Sequence, residues 1–170
     1  GNIFRGFIAD LQQELLEDGS ETSGIVAADT FDFDIIDKIY TPHDSMTLMV
    51  GLKPDGSTDK KVIASIAKGL RADSRDSAQW EELKRIFVNP ALQMVSFTIT
   101  EKGYSLKTMT GEFSGIALKD MEEGPAAPVH AMGVAASLLY ERYKAGGAPV
   151  AMVSMDNCSH NGEKLKAGVT

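Results

Sequence analysis

The sequence predicts an α/β fold with a doubly wound, mostly parallel sheet. Three observations carry that prediction. Short apolar runs alternate along the chain with segments whose apolar residues recur at helical spacing, which favours strand–helix–strand units over a sandwich or a bundle. Two of the runs, Met94-Val95-Ser96-Phe97 and Val150-Ala151-Met152-Val153, lead directly into polar clusters, and strand ends are where open α/β sheets bind ligands. The 170 residues, 43% hydrophobic and 24% charged, suit one well-packed domain of ordinary globular composition.

Taken in order, Phe4, Phe7, Ile8, Leu11 and Leu15 recur at helical spacing and Asp18-Gly19-Ser20 supplies a stop, so residues 3–17 read as an amphipathic helix. Ser23 to Ala28 is a short strand ending in Asp29, and Asp34 to Ile39 can form a helical turn or two. Met46 to Val50 reads as a strand closed by Pro54-Asp55-Gly56, a turn in which Pro presets φ and Gly tolerates unusual angles. Val62, Ile63, Ile66 and Leu70 predict a helix that Thr58 or Asp59 caps. A further helix runs from 78 to 87 and ends before Asn89-Pro90. The strand from Met94 to Thr100 is followed by an irregular stretch, 108–124. Pro128 then opens a long helix with Ala131, Val134, Ala135, Leu138 and Leu139 facing a core, and Gly146-Gly147 ends it. The strand Val150 to Val153 and a helix from His160 complete the order.

Composition removes several classes of function. Acidic residues outnumber basic ones, 24 against 17, and no stretch concentrates Lys and Arg with aromatics, which argues against nucleic acid and for a small-molecule ligand. Cys158 is the single cysteine, so an internal disulfide is impossible and nothing points to an oxidising compartment. No apolar run approaches the roughly 20 residues of a bilayer span, and the N-terminus lacks the form of a signal peptide. The expectation is a cytoplasmic location without membrane contact. Gly1 opens straight into a helix, so the chain is expected to begin inside a motif and to lack the first strand of its sheet.

The chemistry-bearing positions lie at strand and helix ends. Gly1-Asn2-Ile3-Phe4-Arg5-Gly6 lies at the start of the first helix, where free N–H groups and the helix dipole can hold a pyrophosphate; Gly1, Asn2, Ile3 and Arg5 are the candidates there. Asp29, at the end of its strand, is placed to hydrogen-bond adenosine ribose hydroxyls and to repel a 2′-phosphate, which favours NAD over NADP. Asp32 is its rival. In Thr98-Ile99-Thr100-Glu101-Lys102-Gly103-Tyr104, Thr100 is a cofactor candidate. Glu101, if it lines a pocket shut off from water, would have its charged form disfavoured and could relay a proton. Lys102 has the chemistry of a base or a substrate contact, and Tyr104 is expected to pack. In Ser154-Met155-Asp156-Asn157-Cys158-Ser159-His160-Asn161-Gly162, an Asn157 amide aimed at a carbonyl oxygen would stabilise the alkoxide that forms as hydride arrives. Asp156 is expected to orient its neighbours, and Asn161 to cap a helix or meet substrate. Cys158 beside His160 lacks an accompanying oxyanion pattern, so a thiol nucleophile is not expected. His43, His130 and His160 lack metal-ligand spacing, and no metal is expected.

The Thr98 to Tyr104 and Ser154 to Leu165 motifs resemble those of the long-chain mannitol dehydrogenase family, polyol and uronate oxidoreductases that use a nicotinamide cofactor. Gly1, Arg5 and Gly6 match the back half of the family's glycine turn. The resemblance implies that residues 1–170 are its Rossmann-like dinucleotide-binding domain, part of a longer two-domain enzyme. It implies Asn157 as part of an oxyanion hole and Glu101 as an acid bordering the substrate site and a proton path. The family's general base is a Lys in a Lys-x4-Asn-x2-His arrangement on a helical C-terminal domain, and no such arrangement occurs here. The expected function is hydride transfer between NAD and a polyol/2-ketose or aldonate/ketouronate pair, mannitol with fructose or mannonate with fructuronate. Alone, the 170 residues would be inactive. The alternatives are a dinucleotide-binding module without turnover and a structural α/β domain of some other enzyme.

Overall fold

The computed structural model describes residues 1–170, which divide into two compact units, Gly1–Leu70 and Arg71–Thr170. The first unit opens with a π-helical turn, Phe4–Ile8, that runs into α1, Ala9–Glu17. Gly19, at φ 78°, closes the segment with a left-handed residue that costs glycine little. Phe4, Ile8 and Ala9 meet the core, while Phe7, Leu11 and Leu15 stay exposed. The packed stripe is therefore narrower than the apolar spacing predicts. The reason is a polar seam: the Ala9 carbonyl accepts from Ser65 Oγ, Gln13 Oε1 accepts the Ala64 N–H at 2.9 Å, and Asp10 pairs with Lys61 at 2.6 Å.

The strands of this unit are β1 (Ile25–Asp29), β2 (Thr47–Leu52), β3 (Thr58–Ile63) and β4 (Ile66–Arg71), whose last residue opens the second unit. β1 lies beside β4, and β2 pairs antiparallel with β3 in a register running from Thr47↔Ile63 to Leu52↔Thr58. The Pro54-Asp55-Gly56 turn joins that hairpin, with the Gly56 N–H on the Lys53 carbonyl at 3.0 Å. The helix predicted through Val62, Ile63, Ile66 and Leu70 does not form. These residues fit a helical period, but Thr58, Val62, Ile63 and Ile66 are β-branched, and short apolar segments are decided by partners rather than period. Here β2 and β1 supply ladder partners, and Asp59, expected to cap a helix, pairs instead with Lys53 at 2.8 Å. A π-helical segment, Ile35–Tyr40, covers β1, and its Ile36 and Tyr40 join Phe4, Ala9, Ala27, Ile63 and Ile66 in the core.

The second unit begins with α2, Ser77–Val88, whose N-cap Asp76 accepts the Gln79 N–H at 3.3 Å. Trp80, Leu83 and Phe87 form its buried face, and it ends at Asn89-Pro90 as the sequence requires. β5 (Met94–Phe97) then leads into a single turn, α3 (Glu101–Tyr104). The irregular stretch expected over 108–124 is irregular only to Ser114, which caps α4, Gly115–Glu123. Helix formers fill that segment, and the glycines on either side of it obscured them in the sequence. α5 (Ala131–Lys144) packs on α2 and buries Met132, Val134, Ala135 and Leu138. β6 (Ala151–Ser154) pairs parallel with β5, from Met94↔Ala151 to Phe97↔Ser154, and α6 (Asn161–Val169) follows. A parallel pair needs a crossover connection, and α3, α4 and α5 make it. No helix is long and apolar enough to cross a membrane.

Candidate active site

The register of β5 on β6 makes the two polar motifs neighbours. Phe97 and Ser154 are partners at the strand ends, and the Met155 N–H extends the ladder to the Phe97 carbonyl at 2.7 Å. Beyond that point the chains are tied by side chains. Tyr104, buried on α3, donates its hydroxyl to Asp156 Oδ2, and the Cys158 thiol lies 3.9 Å from the Ile99 carbonyl. Lys164 on α6 pairs with Glu101. Gly103 permits this tight path, since a Cβ there would meet Ile99 Cδ1 at 3.1 Å.

Asp156 is the hub. Besides Tyr104, its carboxylate accepts the Cys158 N–H at 3.1 Å and Asn161 Nδ2 at 3.2 Å, and Asn161 Nδ2 also reaches the Asp156 carbonyl at 2.9 Å. Burial works against the Asp156 charge, but these donors outweigh it and hold the carboxyl below its ordinary value. Burial first, and then the Asp156 carboxylate, push the Tyr104 phenol up to about 12, so it stays a donor at neutral pH. The same two causes raise the Cys158 thiol, opposite to what a thiolate nucleophile needs. Between Asp156 and Cys158 stands Asn157, exposed and with its side-chain amide unpaired.

The candidates of the second unit therefore separate by how much of their hydrogen-bonding capacity is used. Asn157, Lys102 and Thr100 are exposed with unpaired side chains. Asn161 is engaged on both sides, since its Oδ1 also takes the Gly162 N–H at 2.8 Å, so it fixes the loop and does not present its amide outward. The desolvated environment expected for Glu101 is corrected here. Its side chain is 72% exposed, and the hydrogen bond and charge of Lys164 lower its pKa rather than raise it. A strand end open to solvent cannot penalise a carboxylate's charge.

The first unit groups the remaining candidates. Asp29 Oδ1 accepts the N–H groups of Phe31 at 2.9 Å and Asp32 at 2.8 Å, an Asx turn that leaves Oδ2 without a partner. Burial raises the Tyr40 phenol, with Arg5 lowering it and Asp29 raising it, so the helix start and the strand end act on one side chain. Arg5 donates to Asn2 Oδ1 at 2.6 Å, while its buried Nε has no acceptor; Asn2 and Ile3 are exposed. A Cβ added at Gly1 or Gly6 meets no atom within 4 Å, so the backbone there borders open space. A helix start with a cation, open backbone and a strand-end acid fits a diphosphate joined to a ribose.

Sequence reasoning missed the Tyr104 hydroxyl and Lys164, because their partners lie in the other motif and no spacing reveals them. Nor do the candidates line the cleft between α4 and α5. This cleft of about 450 Å³ is lined by Leu106, Ala117, Met121 and Tyr140 among others. That cleft is apolar, whereas the candidates stand on the strand ends with convergent polar groups, and it is polar convergence that chemistry requires.

No protein-family model matches the chain. It is 48% identical over 169 residues to a D-mannonate oxidoreductase of Thermotoga maritima, covering 99% of this chain and 31% of that protein. It is 28% identical over 168 residues to a polyol:NADP oxidoreductase of Gluconobacter oxydans, covering 95% of this chain and 33% of that one. Among solved structures, the Pseudomonas fluorescens mannitol 2-dehydrogenase in ternary complex with NAD and D-mannitol superimposes with a TM-score of 0.78 at 26% identity, over 99% of this chain and 34% of that one. The fold is thus the α/β fold of the N-terminal Rossmann domain of mannitol dehydrogenases. The chain spans about a third of the length of the relatives it matches.

Proposed function

We propose that this chain is the NAD-binding part of a long-chain mannitol dehydrogenase family enzyme, one that interconverts an aldonate with a ketouronate or a polyol with a 2-ketose. One observation carries the chemical part of the reading: the Asn157 amide stands unpaired beside a fully hydrogen-bonded Asp156 at paired strand ends. Its relatives' names support the substrate class, and the identity to the mannonate oxidoreductase weights it towards the sugar acid.

The residues divide the work. Gly1, Asn2, Ile3 and Arg5 hold the pyrophosphate through backbone N–H groups and a cation. Asp29 Oδ2 accepts from the adenosine ribose hydroxyls and repels a 2′-phosphate, which supports NAD although one relative is named for NADP. Thr100 takes the nicotinamide side of the cofactor. When bound, the nicotinamide supplies or accepts hydride at its C4. Asn157 donates a hydrogen bond to the substrate oxygen, strengthening as that oxygen gains negative charge, and needs no change of its own protonation. Lys102 and Asn161 border the substrate, Asn161 by holding the loop. Glu101, ionised and paired with Lys164, ties α3 to α6 at the solvent edge. The proton on the substrate hydroxyl requires a base, which we assign to a lysine of the helical domain that the family resemblance implies. A lone cysteine and the excess of acidic over basic residues support cytoplasmic action on a small molecule.

The test is turnover of the intact polypeptide with NADH or NADPH against fructuronate, tagaturonate and fructose. The reading expects NADH oxidation with at least one of them, fastest with a ketouronate. Tight NADH binding with no turnover on the whole panel would replace it with a binding module.

A further inference from the structure

We propose that Tyr104 is a positioning residue for the reaction, acting through Asp156 to set the Asn157 amide against the substrate oxygen. The inference rests on the function proposed above and adds a dependence of the second motif on the first.

Asn157 has no partner of its own, so its direction is fixed only by the backbone that carries it. That backbone is anchored at Asp156. The ladder bond from Met155 to Phe97 holds the approach, the Asp156 carbonyl takes Asn161 Nδ2, and the Asp156 carboxylate takes Cys158 N–H and Asn161 Nδ2 on Oδ1. These bonds join the end of β6 to β5, to the loop and to Asn161 at the start of α6. The Tyr104 hydroxyl is the partner of Oδ2 and the contact that ties the Asp156 carboxylate to α3. Its ring is buried with Met132 and Leu165, against which Phe97, Ile99 and Met152 pack, so the hydroxyl is delivered from a rigid place. The phenol remains protonated well above neutral pH, so the bond does not titrate in the working range.

Without the hydroxyl, Asp156 keeps its bonds to Cys158 and Asn161 but loses the one from α3, and the freed carboxylate can turn and carry the neighbouring Asn157 with it. Displacement of a catalytic group by about 1 Å costs on the order of 10²-fold in rate when it must meet a developing charge. A loop that still samples the correct position loses less, on the order of tenfold. The effect should fall on kcat, since Asn157 contributes more to the transition state than to ground-state binding.

The test is a double-mutant cycle in the intact enzyme with Tyr104→Phe, Asn157→Ala and both, with kcat and KM measured for the keto substrate and for NADH. Tyr104→Phe preserves ring packing. We expect it to lower kcat by about tenfold with the KM for NADH unchanged, and the double variant to be no slower than Asn157→Ala alone. A purely structural role would slow the double variant by the product of the two losses, which would overturn the proposal, as would a Tyr104→Phe enzyme with the parent kcat. If Asn157→Ala retains parent activity, the oxyanion assignment itself fails, which separates that failure from a failure of the coupling. Should Tyr104→Phe not fold, Asp156→Asn carries the same cycle. With its amide oxygen in the Oδ1 place it can still accept from Cys158 and Asn161, while its NH2 replaces the oxygen that accepts from Tyr104, so the Tyr104 bond is the one altered and the same non-additivity with Asn157→Ala is expected.

Discussion

Arg142 is the side chain whose removal the second unit should tolerate least. It is 3% exposed on α5, and its guanidinium donates five hydrogen bonds to backbone carbonyls, with no carboxylate among its partners. Two go to the end of α2, Phe87 at 2.5 Å and Asn89 at 2.8 Å; the others go to Leu92 at 3.1 Å, Ala148 at 2.6 Å and Pro149 at 2.9 Å. The cation thus satisfies the orphan carbonyls at the end of α2 and stitches the approaches to β5 and β6. Arg142→Met keeps much of the volume and leaves five acceptors. Those still reached by water cost little, but the Phe87 bond is buried, and each buried unsatisfied group costs about 1–3 kcal/mol. A total of about 3–5 kcal/mol is expected from the lost hydrogen bonds to a charged donor, each worth about 1.5–3 kcal/mol where water cannot replace it. Arg142→Lys offers at most three donors without the planar fork, so about half of that loss should remain. Urea unfolding followed through Trp80, the single tryptophan, reports this unit directly because Trp80 is buried on α2. A loss below about 1 kcal/mol for Arg142→Met, within the range of ordinary surface changes, would refute the network as a major stabiliser.

Four further outcomes follow from the geometry. Asn157→Ala should lower turnover of the intact enzyme by on the order of 10² with NADH affinity little changed, measured by steady-state kinetics and NADH titration. Asp29→Ser keeps an acceptor for the turn but removes the charge, and should shift the NADPH to NADH preference by about tenfold towards NADPH; an unchanged ratio of kcat/KM would remove Asp29 from the ribose site. Gly133→Ala puts a Cβ onto Asp120 Oδ2, the carboxylate that accepts the Val129 and His130 N–H groups before α5, and should cost about 1–3 kcal/mol in thermal unfolding, while a parent-like Tm would show that Asp120 can move freely. The Tyr104–Asp156 pair contributes to stability at both ends of the pH range. The depressed Asp156 pKa stabilises above its unfolded value and is lost as pH falls below about 4, whereas the Tyr104 pKa, raised to about 12, stabilises below about 10 and is lost as pH climbs between those values; Tyr104→Phe should flatten both limbs of a urea-midpoint profile.

Much of the architecture was legible because it is local. Helix α2 announces itself by its stop at Asn89-Pro90, α5 by its apolar face, and β5 and β6 by apolar runs that break into polar motifs. The hairpin turn at Pro54-Asp55-Gly56 was equally clear, yet its second strand was not. Val62, Ile63, Ile66 and Leu70 satisfy a helical period, and only the ladder partners in β2 and β1, supplied by the fold, decide otherwise. The stripe of α1 failed in a similar way, since Asp10 and Gln13 turn inwards to serve the β3–β4 corner and leave Phe7 and Leu11 outside. In the candidate site the residue types were readable, but their environments were not. Glu101 carried the right chemistry for a perturbed acid, and its exposure beside Lys164 reverses the direction of the shift.

Under the proposed function, the distinction between groups that are used up and groups that are free explains why two motifs so far apart in sequence serve one amide. An amide that stabilises developing charge must be unpaired before substrate arrives, since any internal partner would have to be surrendered at the moment of reaction. An unpaired amide on a loop is also free to wander, and its entropy is then lost in the transition state. The strand ends resolve the conflict by placing the rigidity one residue away. Asp156 accepts from Tyr104, Cys158 and Asn161, and Asn157 accepts and donates nothing. The cost is a half-buried carboxylate one residue from the amide, and that charge is tolerable only while its donors remain in place. Replacing Asp156 by Leu should accordingly do more harm to turnover than to substrate binding, because the loop loses its anchor and Asn157 its direction. A KM that rises by the same factor as kcat falls would instead mark Asp156 as part of the ground-state binding site.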